Sequence, residues 1–196
     1  FDFVFAVPLE SRAVAETVGR LYPAYREMRY TGFADANVVV ARDGVWFFEK
    51  CERFGYNSHP NLFWNIARDP LGATLASLVD GTFTPNFAPG FGASCTMYMD
   101  HPAPGKAIQF PEEVHPSLYF FDVHRDGDTY LTAGYADSVL VVNAFGYTMP
   151  QAWESALARA AQVKFPGRSY RVDGAGTEYP SSPVRRYEAL AAMRYL

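Results

Sequence analysis

The sequence predicts an α+β fold built from antiparallel strands and helices. Two stretches carry the antiparallel part. Apolar runs of strand length turn back on themselves at Arg42-Asp43-Gly44 and at Arg125-Asp126-Gly127-Asp128, and Asp-Gly between such runs is the signal of a tight hairpin. The helical part comes from apolar residues recurring at helical spacing over residues 11–28, 71–79 and 148–163. Composition fits a packed domain. A chain of 196 residues can bury a core without staples, and 49% hydrophobic against 19% charged residues is a globular balance, not a disordered one.

Taken in order, residues 1–8 read as an apolar extended segment. Ser11 is placed to cap a helix running to about Met28, with Val14, Val18, Leu21, Tyr22 and Tyr25 on one face and Pro23 kinking it. A turn at residues 30–33 leads into the hairpin 36–50. Its second strand, residues 45–50, opens with Val45-Trp46-Phe47-Phe48, a run expected to be covered on both faces. A polar loop at residues 56–60 follows, then a short helix at 62–67 and a longer one at 71–79. Residues 81–92, rich in Gly, Pro and Phe, read as a connector between two parts, 1–90 and 91–196.

The second part begins with strands at 93–99 and 118–123, separated by a Pro-rich crossing. The hairpin at 125–128 leads into a strand at 129–133, and residues 139–144 form the most apolar strand of this half. Thr148 caps a helix through about Val163, with Pro150 in its first turn and Trp153, Ala156, Leu157, Ala160 and Val163 facing the core. A strand at 169–172, a loop at 173–183 and a terminal helix at 184–196 complete the chain. The aromatic content (16 Phe and 13 Tyr) predicts a ring-rich core, since these residues are not interleaved with basic ones as in a stacking platform for nucleic acid. A net charge of −4 gives no general attraction to nucleic acid or anionic membrane, and no apolar run is long enough to span a bilayer. No nucleic-acid or membrane partner is expected.

The chemistry-bearing stretch is residues 45–55, an apolar strand ending in Glu49-Lys50-Cys51-Glu52-Arg53-Phe54-Gly55. Charges at the tip of a rigid strand are well placed for chemistry. An inward-facing Glu49 needs Lys50, Arg53 or a metal as partner. Arg53 presents a planar fork suited to phosphate or carboxylate, or to a salt bridge with Glu49 or Glu52. Cys51 and Cys95 are expected to be reduced thiols in a cytoplasmic protein, Cys51 as a small inert hydrophobe. His59, His101, His115 and His124 have no metal-site or triad spacing. Arg171 and Asp173 read as an edge ion pair, and Arg185-Arg186 as a solvated helix face.

These residues also carry a family likeness. Tyr30-Thr31-Gly32-Phe33, the hairpin after it and Phe48-Glu49-Lys50-Cys51-Glu52-Arg53-Phe54-Gly55 resemble the end of an ATP-grasp domain, and more closely that of glycinamide ribonucleotide synthetase (phosphoribosylamine–glycine ligase). Ala103-Pro104-Gly105-Lys106-Ala107-Ile108, Thr132-Ala133-Gly134, residues 139–144, Gly146-Tyr147-Thr148 and Tyr170-Arg171-Val172-Asp173 follow the same family in order and spacing. The resemblance implies the second half of an ATP-grasp lobe over residues 1–90 and a small α+β C-terminal domain over 91–196. It implies an ATP-driven ligase of purine biosynthesis that joins glycine to phosphoribosylamine through a glycyl phosphate, with ATP and magnesium. Glu49 and Cys51 fall at the metal-ligand positions, and Arg53, Gly55 and Arg171 at ATP- or substrate-binding ones.

Two places depart from the family's pattern. Cys51 stands where the family has asparagine, and Tyr56-Asn57-Ser58 replaces aspartate–proline–glutamate. The family's amino-terminal domain and the first part of its grasp would precede Phe1, so another segment or chain is expected to complete the nucleotide site. The alternatives are a non-catalytic relative kept as a binding or scaffold subunit, and a ligase for a different acid and amine.

Overall fold

The computed structural model describes residues 2–55, 58–172 and 182–196. At its centre two long strands, β4 (Phe91–Met99) and β9 (Ser138–Gly146), pair antiparallel from Phe91↔Gly146 to Tyr98↔Ser138. β6 (Leu118–Phe120) adds to the free edge of β9. β1 (Asp2–Val4) and β10 (Arg168–Ser169) share the free edge of β4, β1 pairing at Gly92–Ser94 and β10 at Tyr98–Met99. Residues from the start of the chain therefore lie in the same sheet as residues beyond 91.

One face of this sheet is dry. α5 (Met149–Gln162) lies on it, with Thr148 Oγ1 accepting from Gln151 N at 3.3 Å and Pro150 in the first turn. Of the residues expected to face the core, Trp153, Ala156, Ala160 and Val163 are buried and Leu157 is half-buried, and Ala152 joins the buried stripe. Small residues let helix and sheet approach closely: Ala152 and Ala156 meet Ala93 and Ala144. Gly146 belongs to this contact, because a Cβ there would run into the Ala152 backbone. Cys95, Met97, Leu140, Val142 and Val163 continue the core.

The other face is polar. α3 (Ser58–Asn61) and a π-helical turn, Leu62–Ile66, pack against it. Buried Asn61 donates to Asp2 O at 2.9 Å, and Asn65 donates to Asn61 Oδ1 at 2.8 Å and to Ala93 O at 3.3 Å. Ser94 donates to Asn143 Oδ1 at 2.6 Å, and Asn143 donates to Ser117 O at 3.1 Å. This pairing is what allows amides and hydroxyls to be buried here.

Several expected elements are subdivided. The helix expected over 11–28 is α1 (Arg12–Glu16), a 3-10 turn Val18–Leu21 and α2 (Tyr22–Glu27). Ser11 caps α1 as expected. Pro23 opens α2 and does not kink a continuous helix, since its missing N–H costs nothing in a first turn. The run breaks at Thr17, whose backbone (φ −113°, ψ −108°) leaves the helical region while its hydroxyl donates back to Ala13 O. The strand expected over 118–123 is β6 and then β7 (Val123–Asp126), parted at Phe121-Asp122. β7 pairs with β8 (Thr129–Thr132), which pairs with β5 (Ala107–Ile108), so the Pro-rich crossing contributes one strand to a three-stranded sheet. The last strand is only Arg168–Ser169. α6 (Pro183–Ala192), capped by Ser182, ends with Tyr195 buried against α1, its hydroxyl donating to Glu16 Oε2 at 2.9 Å. The loop expected over 173–183 lies largely outside the described residues.

The hairpin forms as expected from β2 (Asp35–Ala41) and β3 (Gly44–Cys51). Its burial does not. Trp46 is 47% exposed, Phe47 37% and Phe48 73%. The two strands make a sheet of their own, and an apolar run encodes a need for cover without saying which segment supplies it. α4 (Leu71–Val79) is similar: it forms over the expected residues, yet Leu75 and Val79 stay exposed. Among the described residues no helix is long and apolar enough to cross a membrane.

Candidate functional site

The end of β3 holds the candidate residues, and a bulge decides where they point. Val39 pairs with Trp46 and Val38 with Phe47, but Asn37 pairs with Glu49, so Phe48 is extra. The extra residue moves Glu49 and Cys51 onto the face of Val39 and Trp46, opposite Asn37 and Asp35 respectively. The same-face geometry expected for Glu49 and Cys51 is present. Glu49 is exposed and does not face inward, and Lys50, one of the partners considered for it, is not its partner: Glu49 accepts from Asn37 Nδ2 at 2.7 Å, while Lys50 pairs with Glu52. The reason is alternation, which sends Lys50 to the other face.

Arg53 lies exposed just past β3, with Nη1 donating to Phe54 O at 2.9 Å. Gly55 is half-buried and its carbonyl accepts from His59 N at 3.2 Å, which starts α3. Arg171 follows β10 and leaves from the β4 edge of the five-stranded sheet, across from the β6 edge. Tyr56, Asn57, Asp173 and the Ser58 side chain lie outside the described residues.

Magnesium takes hard oxygen ligands, and Glu49 with Cys51 offers one carboxylate already bonded to an amide, and one thiol. Among the described residues no three His, Cys, Asp or Glu side chains gather to hold a metal. These residues by themselves do not fit a magnesium site.

The structure adds residues that the sequence spacing does not reveal. His59, one turn beyond Gly55, packs between Phe54 at 4.8 Å and Tyr119 of β6 at 5.3 Å between ring centroids. Trp64, on the π-helical turn, meets Tyr119 at 5.2 Å, and Tyr119 meets Phe121 at 5.1 Å. The cluster thus runs from the residue after Arg53 across to β6. Trp64 remains 41% exposed and Phe121 36%, so ring surface faces solvent. Burial disfavours the charged imidazole and moves the His59 pKa below its ordinary 6.5. A π turn at such a junction is a common mark of function. On the same sheet face, reached from Tyr119 through Val141, buried Thr96 Oγ1 has no hydrogen-bond partner among the described residues. No local pattern ties His59 to Tyr119, because they are sixty positions apart and meet only through sheet assembly.

The chain has an α+β fold of the ATP-grasp kind. It is similar to phosphoribosylamine–glycine ligase from Thermotoga maritima with a TM-score of 0.65 and 21% identity, over 87% of this chain and 45% of that one. It is also similar to urea carboxylase from Kluyveromyces lactis (TM-score 0.58, 14% identity, 84% of this chain and 15% of that one). The biotin carboxylase domain of 2-oxoglutarate carboxylase from Hydrogenobacter thermophilus, solved with MgADP and bicarbonate, gives a TM-score of 0.53 at 14% identity, covering 78% of this chain and 36% of that one. The chain spans less than half the length of each. No protein-family model and no curated protein sequence matches it.

Proposed function

We propose that this chain is part of an ATP-dependent carboxylate–amine ligase resembling phosphoribosylamine–glycine ligase. In this reading it works only with a further segment, on the same or another chain, that completes the nucleotide-binding lobe. The supporting observation is the likeness over 87% of this chain to 45% of the Thermotoga ligase, combined with a hairpin whose apolar faces are left in water. Residues 1–90 contribute the second half of the grasp lobe and residues 91–196 the C-terminal domain. The substrates are a nucleotide, a small acid and an amine, handled in the cytoplasm as a step of purine biosynthesis.

Each residue at the β3 end has a task in this reading. Arg53 clamps a phosphate or carboxylate oxygen through its planar fork. Gly55 lets the backbone approach the substrate, and Arg171 contacts substrate at the far edge. His59, kept neutral by burial, accepts a proton from the attacking amine. ATP supplies the activation of the acid. Magnesium belongs to the resembled activity, but no step is routed through Glu49 and Cys51.

The test is phosphate release from ATP with glycine and phosphoribosylamine, measured for the 196-residue chain and for the protein as it occurs in its source cells. Release by the native protein and none by the chain alone is the expected result. Absence of both ATP binding and phosphate release in the native protein would overturn the reading. The thiol of Cys51 favours a second reading, a non-catalytic relative serving as a binding or scaffold subunit. Cys51→Asn separates the two: magnesium-dependent turnover gained by the variant means a site degraded at this position, and turnover already present without it rules the scaffold out.

A further inference from the structure

β6 has two aromatic neighbourhoods, one on each face. Tyr119 turns toward His59, and the residue after it, Phe120, stacks on Tyr130 at 4.8 Å with the rings 16° from parallel. Around Tyr130 lies an open groove of about 800 Å³, inside the roughly 300–1,000 Å³ range of small-molecule sites. Its walls combine rings with charges of both signs. The Tyr130 hydroxyl and His115 Nε2 are 2.9 Å apart, and the His115 ring lies parallel to Phe110 with centroids 5.6 Å apart. Arg125 holds its guanidinium 5.7 Å from the Tyr130 ring centre, on β7, the strand next to β8. Glu112 lines the same groove.

We propose that this groove binds a free α-amino acid with an aromatic side chain. Such a ligand uses each of these features. Its carboxylate takes the Arg125 fork, its ammonium meets Glu112, and its ring packs against Phe110, His115 and Tyr130. Arg125 now pairs with Asp128 at 2.8 Å, but the Asp128 side chain is fully exposed, and a solvent-facing pair of this kind yields readily to a competing carboxylate. A simple anion would leave Glu112 facing like charge, and a simple amine would leave Arg125 unused. The site is separated from the β3 end by β6, and the inference does not rest on the proposed ligase activity.

Isothermal titration calorimetry of the 196-residue chain with L-phenylalanine tests it, with the ring signals of His115 followed by NMR. Saturable binding with a dissociation constant on the order of 1 mM or tighter is expected, with His115 signals moving in step. Phenylpropionate, which lacks the ammonium, and phenethylamine, which lacks the carboxylate, should each bind at least about tenfold more weakly. Arg125→Gln and Glu112→Gln, both at exposed positions, should weaken L-phenylalanine by a similar factor with the melting temperature unchanged. No saturable heat and no ring shift up to about 10 mM overturns the proposal. Equal binding of phenylpropionate, or unchanged binding by Arg125→Gln, overturns it as well.

Discussion

At the scale of single residues, Asp122 shows how a sequence interruption becomes a structural device. It is 6% exposed, and its carboxylate accepts from three successive backbone N–H groups, Gly134 at 2.8 Å, Tyr135 at 3.0 Å and Ala136 at 3.3 Å. Those donors have no strand to pair with, so the carboxylate stands in for one and ends β6 in doing so. Asp122→Ala leaves them without this acceptor and should cost on the order of 2 kcal/mol. For a domain of this size that is a drop of about 4–8 °C in melting temperature, read by calorimetry, with Asp122→Asn falling in between.

The two thiols differ in the same local way. Burial pushes Cys95 up to about 12, whereas Cys51 is only half-buried on β3. Iodoacetamide at neutral pH should therefore label one thiol in the folded chain and two in denaturant, and peptide mapping should place the first at Cys51. His59 supplies a pH dependence. Its folded pKa lies below the unfolded 6.5, so the unfolded chain binds the proton first as pH falls. Its contribution to stability is complete above pH 6.5 and is lost as pH drops through the folded value. Melting temperatures between about pH 7.5 and about pH 5.5, roughly one unit either side of an ordinary imidazole, should fall less steeply in His59→Phe than in the wild type.

At the scale of elements, α5 and the β2–β3 hairpin make opposite cases. α5 is legible in the sequence because everything that defines it is local: Thr148 at its cap, Pro150 in its first turn, and an alanine and tryptophan stripe at helical spacing. The hairpin's existence is equally local, fixed by Arg42-Asp43-Gly44. Its environment is not. Val45-Trp46-Phe47-Phe48 reads as a buried strand, and within this chain it is open to water. The bulge at Phe48 is also invisible in the residue order, yet it sets the face that Glu49 uses. Because Phe48 is 73% exposed, Phe48→Ser should change the stability of the chain by less than about 0.5 kcal/mol in a urea titration. If the proposed further segment covers the hairpin, the same substitution should be destabilising in the protein that carries both.

At the scale of the whole molecule, the reading of function rests on a fold and on what that fold leaves uncovered. The α+β class and the antiparallel pairings were readable because hairpin turns and strand runs are short-range signals. The meeting of His59 and Trp64 with Tyr119 was not, because it depends on β6 joining β9 and on the π turn packing over the polar sheet face. Glu49 was expected to need a charged partner or a metal if it faced inward; it is exposed instead, and it accepts from Asn37, chosen by cross-strand register. If, as proposed, the hairpin belongs to a lobe completed by another segment, that segment shields its strands from solvent. Hydrogen–deuterium exchange across residues 35–51 tests it most directly, in the 196-residue chain and in the native protein with ATP. Fast exchange is expected in the chain, well ahead of β4 and β9, and strong protection in the native protein. Protection equal to β4 and β9 in the chain alone, or no gain in the native protein, would contradict it.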